Sequence, residues 1–186
     1  SGRYLATRSK NPQAFAVIYN LGVTIVSPII FLFDRTLPSG ITPYVIGMTI
    51  LGLMIWGLNG RFEYFAKKHT EASVFSIVIK LGPVISFFLA IIFLKESFTL
   101  SKLAGVALIV IANIILLAGN LHHTKIDLKG IRYTLVLAIL LSVAWLFDAV
   151  NVKAWGVGFF CMFSFIAPVI MSSFFPTIKK IDLQKE

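Results

Sequence analysis

Apolar residues along this chain fall into six long runs, approximately 13–33, 41–65, 71–94, 101–119, 131–150 and 157–177, separated by short polar stretches. About 20 such residues cross a hydrocarbon core of ~30 Å at ~1.5 Å per helical residue. In lipid every backbone N–H and C=O needs an internal partner, so runs of this length predict helices rather than strands. The connectors are short, which makes successive helices antiparallel neighbours. Only 120–130, NLHHTKIDLKG, is polar enough to be a linker between two halves. The expected fold class is an all-α membrane protein with six transmembrane helices.

Composition agrees with the pattern. The chain is 58% hydrophobic and only 13% charged, about half the charge of a soluble domain. Its net charge of +9 would raise nucleic acid as a partner in a soluble protein. Here the basic residues lie between apolar runs, where they orient helices and meet anionic headgroups, so the expected partner is the lipid bilayer and not nucleic acid. A single cysteine, Cys161, excludes an internal disulfide. His69, His122 and His123 sit in connectors without metal-ligand partners at useful spacing. Phosphate loops, nucleophile motifs and paired intramembrane aspartates are missing. The expectation is a protein that is not an enzyme, with no catalytic residue, metal or cofactor.

Polar residues inside the apolar runs carry the functional signal. Lys80 lies about ten residues into the third run, where a lysine costs roughly 2.5–3.5 kcal/mol on insertion scales. At 100° per residue, Ser73, Ser76, Lys80 and Pro83 share a sector of about 80°. On the preceding run Gly52, Trp56, Asn59 and Glu63 recur on one face, and the antiparallel course brings Asn59 and Glu63 near the depth of Lys80. A Lys80 contact to Glu63 or Asn59 at the edge of a central cavity is therefore expected; the competing reading is a lysine that snorkels or is neutralised for packing alone. Pro83 frees a carbonyl one turn back. The candidates for a substrate path are Lys80, Glu63, Asn59, Trp56, Asn20, Ser76 and Pro83. An intramembrane ammonium favours an anionic or zwitterionic metabolite over a cation.

Asn20, Thr24 and Ser27 on the first run, and Cys161, Ser164, Pro168 and Ser172 on the last, read first as interhelical contacts and second as pore lining. Asp148 stands close to the end of the fifth run, which reads as an interfacial charge ahead of a proton site. Asn113 is isolated and reads as packing.

The pattern P-V-x-x-x-x-x-A-x-x-F-L-x-E-x-x-T, followed by K-L-x-G-x-x-L-I, resembles the fourth and fifth helices of an EamA-type repeat of the drug/metabolite transporter superfamily. Pro83, Ala90, Glu96, Thr99 and Gly105 carry it. The resemblance implies a ten-helix, inverted-repeat transporter of the bacterial-type plasma (inner) membrane, moving a small metabolite of unknown class by alternating access through a central cavity. It implies that 1–120 is a first repeat lacking most of its first helix, 121–130 a linker, and 131–186 the first two helices of a second repeat, so that the chain is a fragment. Aligning Phe15 with Phe159 puts the two regions in a common hydropathy register. Pro83, Glu96 and Gly105 become structural positions of the family motif.

Gly105, Ala112 and Gly119, seven residues apart, let another helix approach closely, and a homodimer is one expectation. The alternative to a transporter is a non-transporting scaffold or subunit that binds a partner protein. Counted by alternate connectors, twelve basic residues on the side of the N-terminus against four on the other favour cytoplasmic ends. The resemblance puts the connector before the second family helix outside, so the two criteria disagree on orientation.

Overall fold

The computed structural model describes residues 12–120 and 127–173. His122 and His123, and the basic residues Arg3, Arg8, Lys10, Lys125, Lys179, Lys180 and Lys185 used in the charge count, lie outside the described residues. All described elements are helices: α1 Pro12–Val26, α2 Pro28–Phe33, α3 Pro43–His69, α4 Ala72–Ile79, α5 Leu81–Leu94, α6 Leu100–Asn120, α7 Leu128–Trp155, α8 Val157–Ser164 and α9 Ile166–Ser173. The first, third and sixth apolar runs are each two helices meeting at a break, and the others are continuous. Pro43–His69, Ala72–Leu94 and Leu128–Trp155 are long and apolar enough to cross a membrane; Val17–Phe33, Leu100–Leu116 and Val157–Ile170 are shorter apolar helices.

The long helices outrun the apolar runs because their ends are chemically built. Thr42 opens α3 by accepting from the Val45 N–H, with Pro43 in the first turn, where a missing N–H costs nothing. Lys67, Lys68 and His69 carry α3 four residues past the expected end, since cations suit a helix C-terminus. Asp127 caps α7 through the Lys129 N–H. Gly156, at φ +77°, stops α7 only after Trp155. Asp148 therefore sits two turns inside the helix and not at its end.

Each break precedes a proline, whose ring removes an N–H and frees the carbonyl four residues earlier. Before Pro28 the freed Thr24 carbonyl accepts from Ser27 Oγ at 2.9 Å. Before Pro83 the chain breaks at Lys80, whose N–H turns to the Ile77 carbonyl. Before Pro168 it breaks at Phe165, and the Phe165 carbonyl accepts from Thr24 Oγ1 at 2.9 Å. The first and sixth segments thus touch at their breaks.

The centre is the antiparallel pair α3 and α7, which make the most extensive interhelical contact. Thr70 Oγ1 pairs with Thr134 Oγ1 at 3.1 Å near one end, and Thr49 Oγ1 with Asn151 Oδ1 at 2.9 Å near the other. On one flank α4–α5 lies parallel to α7, where Ser142 Oγ donates to the Gly82 carbonyl at 2.8 Å. On the other flank α1–α2 and α8–α9 cross antiparallel, α1 against α9 and α2 against α8. The most buried side chains include Tyr64, Leu137, Asn151, Thr134 and Ser142, so the interior mixes small and apolar side chains with polar contacts between helices. The outside is apolar, with Phe33 87% and Leu100 80% exposed. This inversion of a soluble protein suits a lipid solvent, in which interhelical hydrogen bonds are worth about 0.6 kcal/mol each.

Candidate functional site

A cavity of about 370 Å3 lies between the first, second, fifth and sixth segments. α3 contributes Trp56, Asn59, Gly60 and Glu63, at i, i+3, i+4 and i+7, so they form one wall. α1 faces it with Tyr19, Asn20 and Val23. α7 supplies Leu141, Asp148 and Val152. Residues on either side of the Phe165 break, among them Phe160, Cys161 and Ser164, close the fourth side.

Three of these side chains set the electrostatics. Asp148 receives Trp56 Nε1–H on both carboxylate oxygens, at 3.1 and 3.0 Å. No lysine, arginine or histidine among the described residues reaches ion-pair distance of it. Glu63 is paired with Lys67, one turn along the same helix, and the Lys67 ammonium also lies 5.4 Å from the Tyr19 ring centroid. Asn59 is 3% exposed, and both polar atoms of its carboxamide are without a hydrogen-bond partner among the described residues.

Trp56, Asn59, Glu63 and Asn20 of the expected substrate path are thus brought together. The three candidates on the third segment stand apart. Lys80 is exposed at the α4–α5 break, Ser76 donates to the Ala72 carbonyl of its own helix, and Pro83 sits in the first turn of α5. The Lys80 contact to Glu63 or Asn59 does not form. Depth matched, but the Glu63 face of α3 turns toward α1 and α7 while α4–α5 packs on α7 from the opposite flank, and Lys67 is a nearer cation.

Asp148 was not among the expected path residues. The signal for it was present: Asp148, Asn151 and Trp155 follow at spacings of three and four, which continues the helix face past 150. Toward the connector 34–42 that face carries a polar ladder, in which Trp155 Nε1 donates to Thr49 Oγ1 at 3.0 Å and Thr49 bonds Asn151. Beyond it, the connector is tied to the α7–α8 corner by Ser39 N–H to the Ala154 carbonyl and Gly158 N–H to Asp34 Oδ2. A side chain at Gly158 would strike the Asp34 carbonyl at 1.9 Å, so only glycine permits this closure.

Of the family-motif positions, Glu96 pairs with Lys102 at 2.9 Å across the α5–α6 connector. Lys95, left-handed at φ 52°, returns its N–H to the Ala90 carbonyl. Gly105 faces outward with nothing within 4 Å of an added Cβ. No group of three or more His, Cys, Asp or Glu that would hold a metal occurs among the described residues.

A 112-residue stretch, 60% of this chain, is 30% identical to an uncharacterized protein of Methanocaldococcus jannaschii and covers 80% of that protein. No solved structure matches the chain significantly. The family model described as EamA-like transporter family matches residues 3–118, well over half the chain and including the whole of the Pro83 to Gly105 hairpin. The chain belongs to the EamA-like transporter family, a family of membrane transporters rather than enzymes.

Proposed function

We propose that the cavity is the substrate path of a transporter that carries a small metabolite across the bilayer by alternating access. The observation that carries this reading is the cavity itself, which sets a carboxylate and an unpartnered carboxamide among apolar walls in the middle of the helix bundle. Its volume of about 370 Å3 falls within the ~300–1,000 Å3 of small-molecule sites. Intramembrane polar groups that face a cavity mark substrate paths. A scaffold would pack its polar stripes together with no space of this size between them.

The arrangement of the ends supports alternating access. Toward 34–42 the cavity is backed by the Asn151–Thr49–Trp155 ladder and the tied connector. Proline breaks in three segments give the bundle places to bend. The antiparallel crossing of two proline-broken segments supports reading 131–186 as the start of a second, inverted repeat. Matching Pro28 to Pro168 gives a register four residues, about one helical turn, from the one that matches Phe15 to Phe159.

The chain's single cysteine lines this cavity and is half-buried, so it reports on access. In sealed vesicles, a membrane-impermeant maleimide is expected to modify Cys161 from both sides of the membrane, more slowly from the side of the 34–42 connector. A thiol that stays unmodified from both sides, while unfolded protein reacts fully, removes the path.

A further inference from the structure

We propose that this cavity takes an organic cation, an alkyl- or arylalkylamine, with Asp148 as its counter-ion. The proposal rests on the cavity being the substrate path and names the chemistry it selects.

Of the two carboxylates on the walls, Glu63 is already paired with Lys67, whose ammonium is committed there and over Tyr19. Among the described residues Asp148 has only the neutral indole N–H of Trp56. A carboxylate offers about four lone-pair sites, and one N–H shared between its two oxygens leaves most of them open. Asp148 is half-buried, and a partly desolvated carboxylate without a counter-charge is stabilised by a cation placed beside it. None of the described residues lining the cavity is a lysine, arginine or histidine.

The remaining walls fit the same ligand. Aromatic rings of Trp56, Tyr19, Phe160 and Phe165 line the cavity, and aromatic faces attract cations as well as apolar groups. Asn59, on the Trp56 face one turn away, has an oxygen with no donor among the described residues. An ammonium that still carries N–H groups serves both Asp148 and Asn59, which a quaternary ammonium cannot do. An anionic ligand would set like charges together, and Lys80, the cation of the third segment that would have favoured it, lies elsewhere.

The test uses the 186-residue protein in lipid nanodiscs, with empty nanodiscs as the partition control, and four probes of one shape: phenethylamine, phenethyl alcohol, phenylalanine and 3-phenylpropionate. Titration calorimetry is expected to show phenethylamine at least tenfold tighter than the alcohol, no binding of the propionate, and protection of Cys161 from maleimide by the amine. Asp148→Asn, which keeps an acceptor for Trp56, is expected to bring the amine down to the affinity of the alcohol. Asp148→Glu keeps the preference. Asn59→Leu is expected to weaken the amine several-fold without lowering the unfolding temperature.

Equal affinity for amine and alcohol, or preference for phenylalanine or the propionate, overturns the cation assignment. Unchanged amine binding in Asp148→Asn does the same, and if that variant fails to fold the charge series in the unaltered protein decides alone. Should Cys161 be accessible while any of these occurs, the transport path stands and only the amine falls. Silence of all four probes overturns the amine assignment; joined to an unreactive Cys161 it removes the path as well.

Discussion

The Trp56–Asp148 contact shows how one indole shapes the cavity. It is the only hydrogen bond the carboxylate receives from the described protein, and bonds to charged groups contribute roughly 1.5–3 kcal/mol. Trp56→Phe is expected to destabilise by about that amount, and Asp148→Asn in the same chain to recover much of it, because a neutral amide leaves less to solvate. Denaturant or thermal unfolding of the four-member cycle checks this; equal losses with no coupling would mean that Trp56 acts through packing alone. At this scale the sequence was a good guide on α3, where the spacing of Trp56, Asn59 and Glu63 identified a cavity wall. It misled at Lys80 and Asp148 for separate reasons. Depth along an antiparallel pair says nothing about azimuth, so Lys80 was matched to a face that points elsewhere. Asp148 looked terminal because polar residues after 150 resemble a helix end, although Asn151 and Trp155 keep the helical spacing.

Among the elements, two glycines on different helices separate packing from mere composition. A side chain at Gly130, in the first turn of α7, would meet the His69 carbonyl at 2.3 Å, backbone against backbone, while at Gly105 on α6 it would meet nothing. Gly130→Ala is expected to cost roughly 1–3 kcal/mol through backbone displacement and Gly105→Ala less than about 0.5, both read from unfolding in detergent. Comparable losses would show that the outer face of α6 is packed in the folded protein. The α5–α6 hairpin carries the family motif and explains part of it. Ala90 accepts the N–H of left-handed Lys95, and Glu96 then reaches Lys102. The Lys102 side-chain hydrogen bond and its charge hold the Glu96 carboxyl below its ordinary value of 4.5. A carboxyl lowered in the folded state contributes stability above that value, which is lost as pH falls through the lowered one. The hairpin of unaltered protein is thus expected to loosen on acidification below about 4.5, with Glu96→Gln flattening that dependence in hydrogen exchange of the 95–99 amides. No flattening would assign the acid response to other carboxyls. The six apolar segments and the hairpin were legible from runs and motif alone. The three breaks were not, because a proline announces a bend but not what the break touches: Ser27 takes up the Thr24 carbonyl that Pro28 frees, and Thr24 reaches across to the Phe165 carbonyl, contacts the linear pattern leaves open.

The molecule as a whole places its polar contacts inside and its apolar surface outside, as a lipid solvent requires, and its cavity sits to one side of the α3–α7 axis. The two ends of that axis are held differently. At the Thr70–Thr134 end the helices meet backbone to backbone at Gly130. At the other end a connector lies over the α7–α8 corner on hydrogen bonds, while its apolar side chains Leu37 and Ile41 are already 71% and 41% exposed. Under the alternating-access reading, lifting that connector would exchange its hydrogen bonds for water and expose side chains that are largely exposed already. Since apolar exposure is what gives a conformational step its heat capacity, an opening at this corner would proceed with little, and its equilibrium would follow a nearly straight van't Hoff line across the temperatures at which the membrane is fluid.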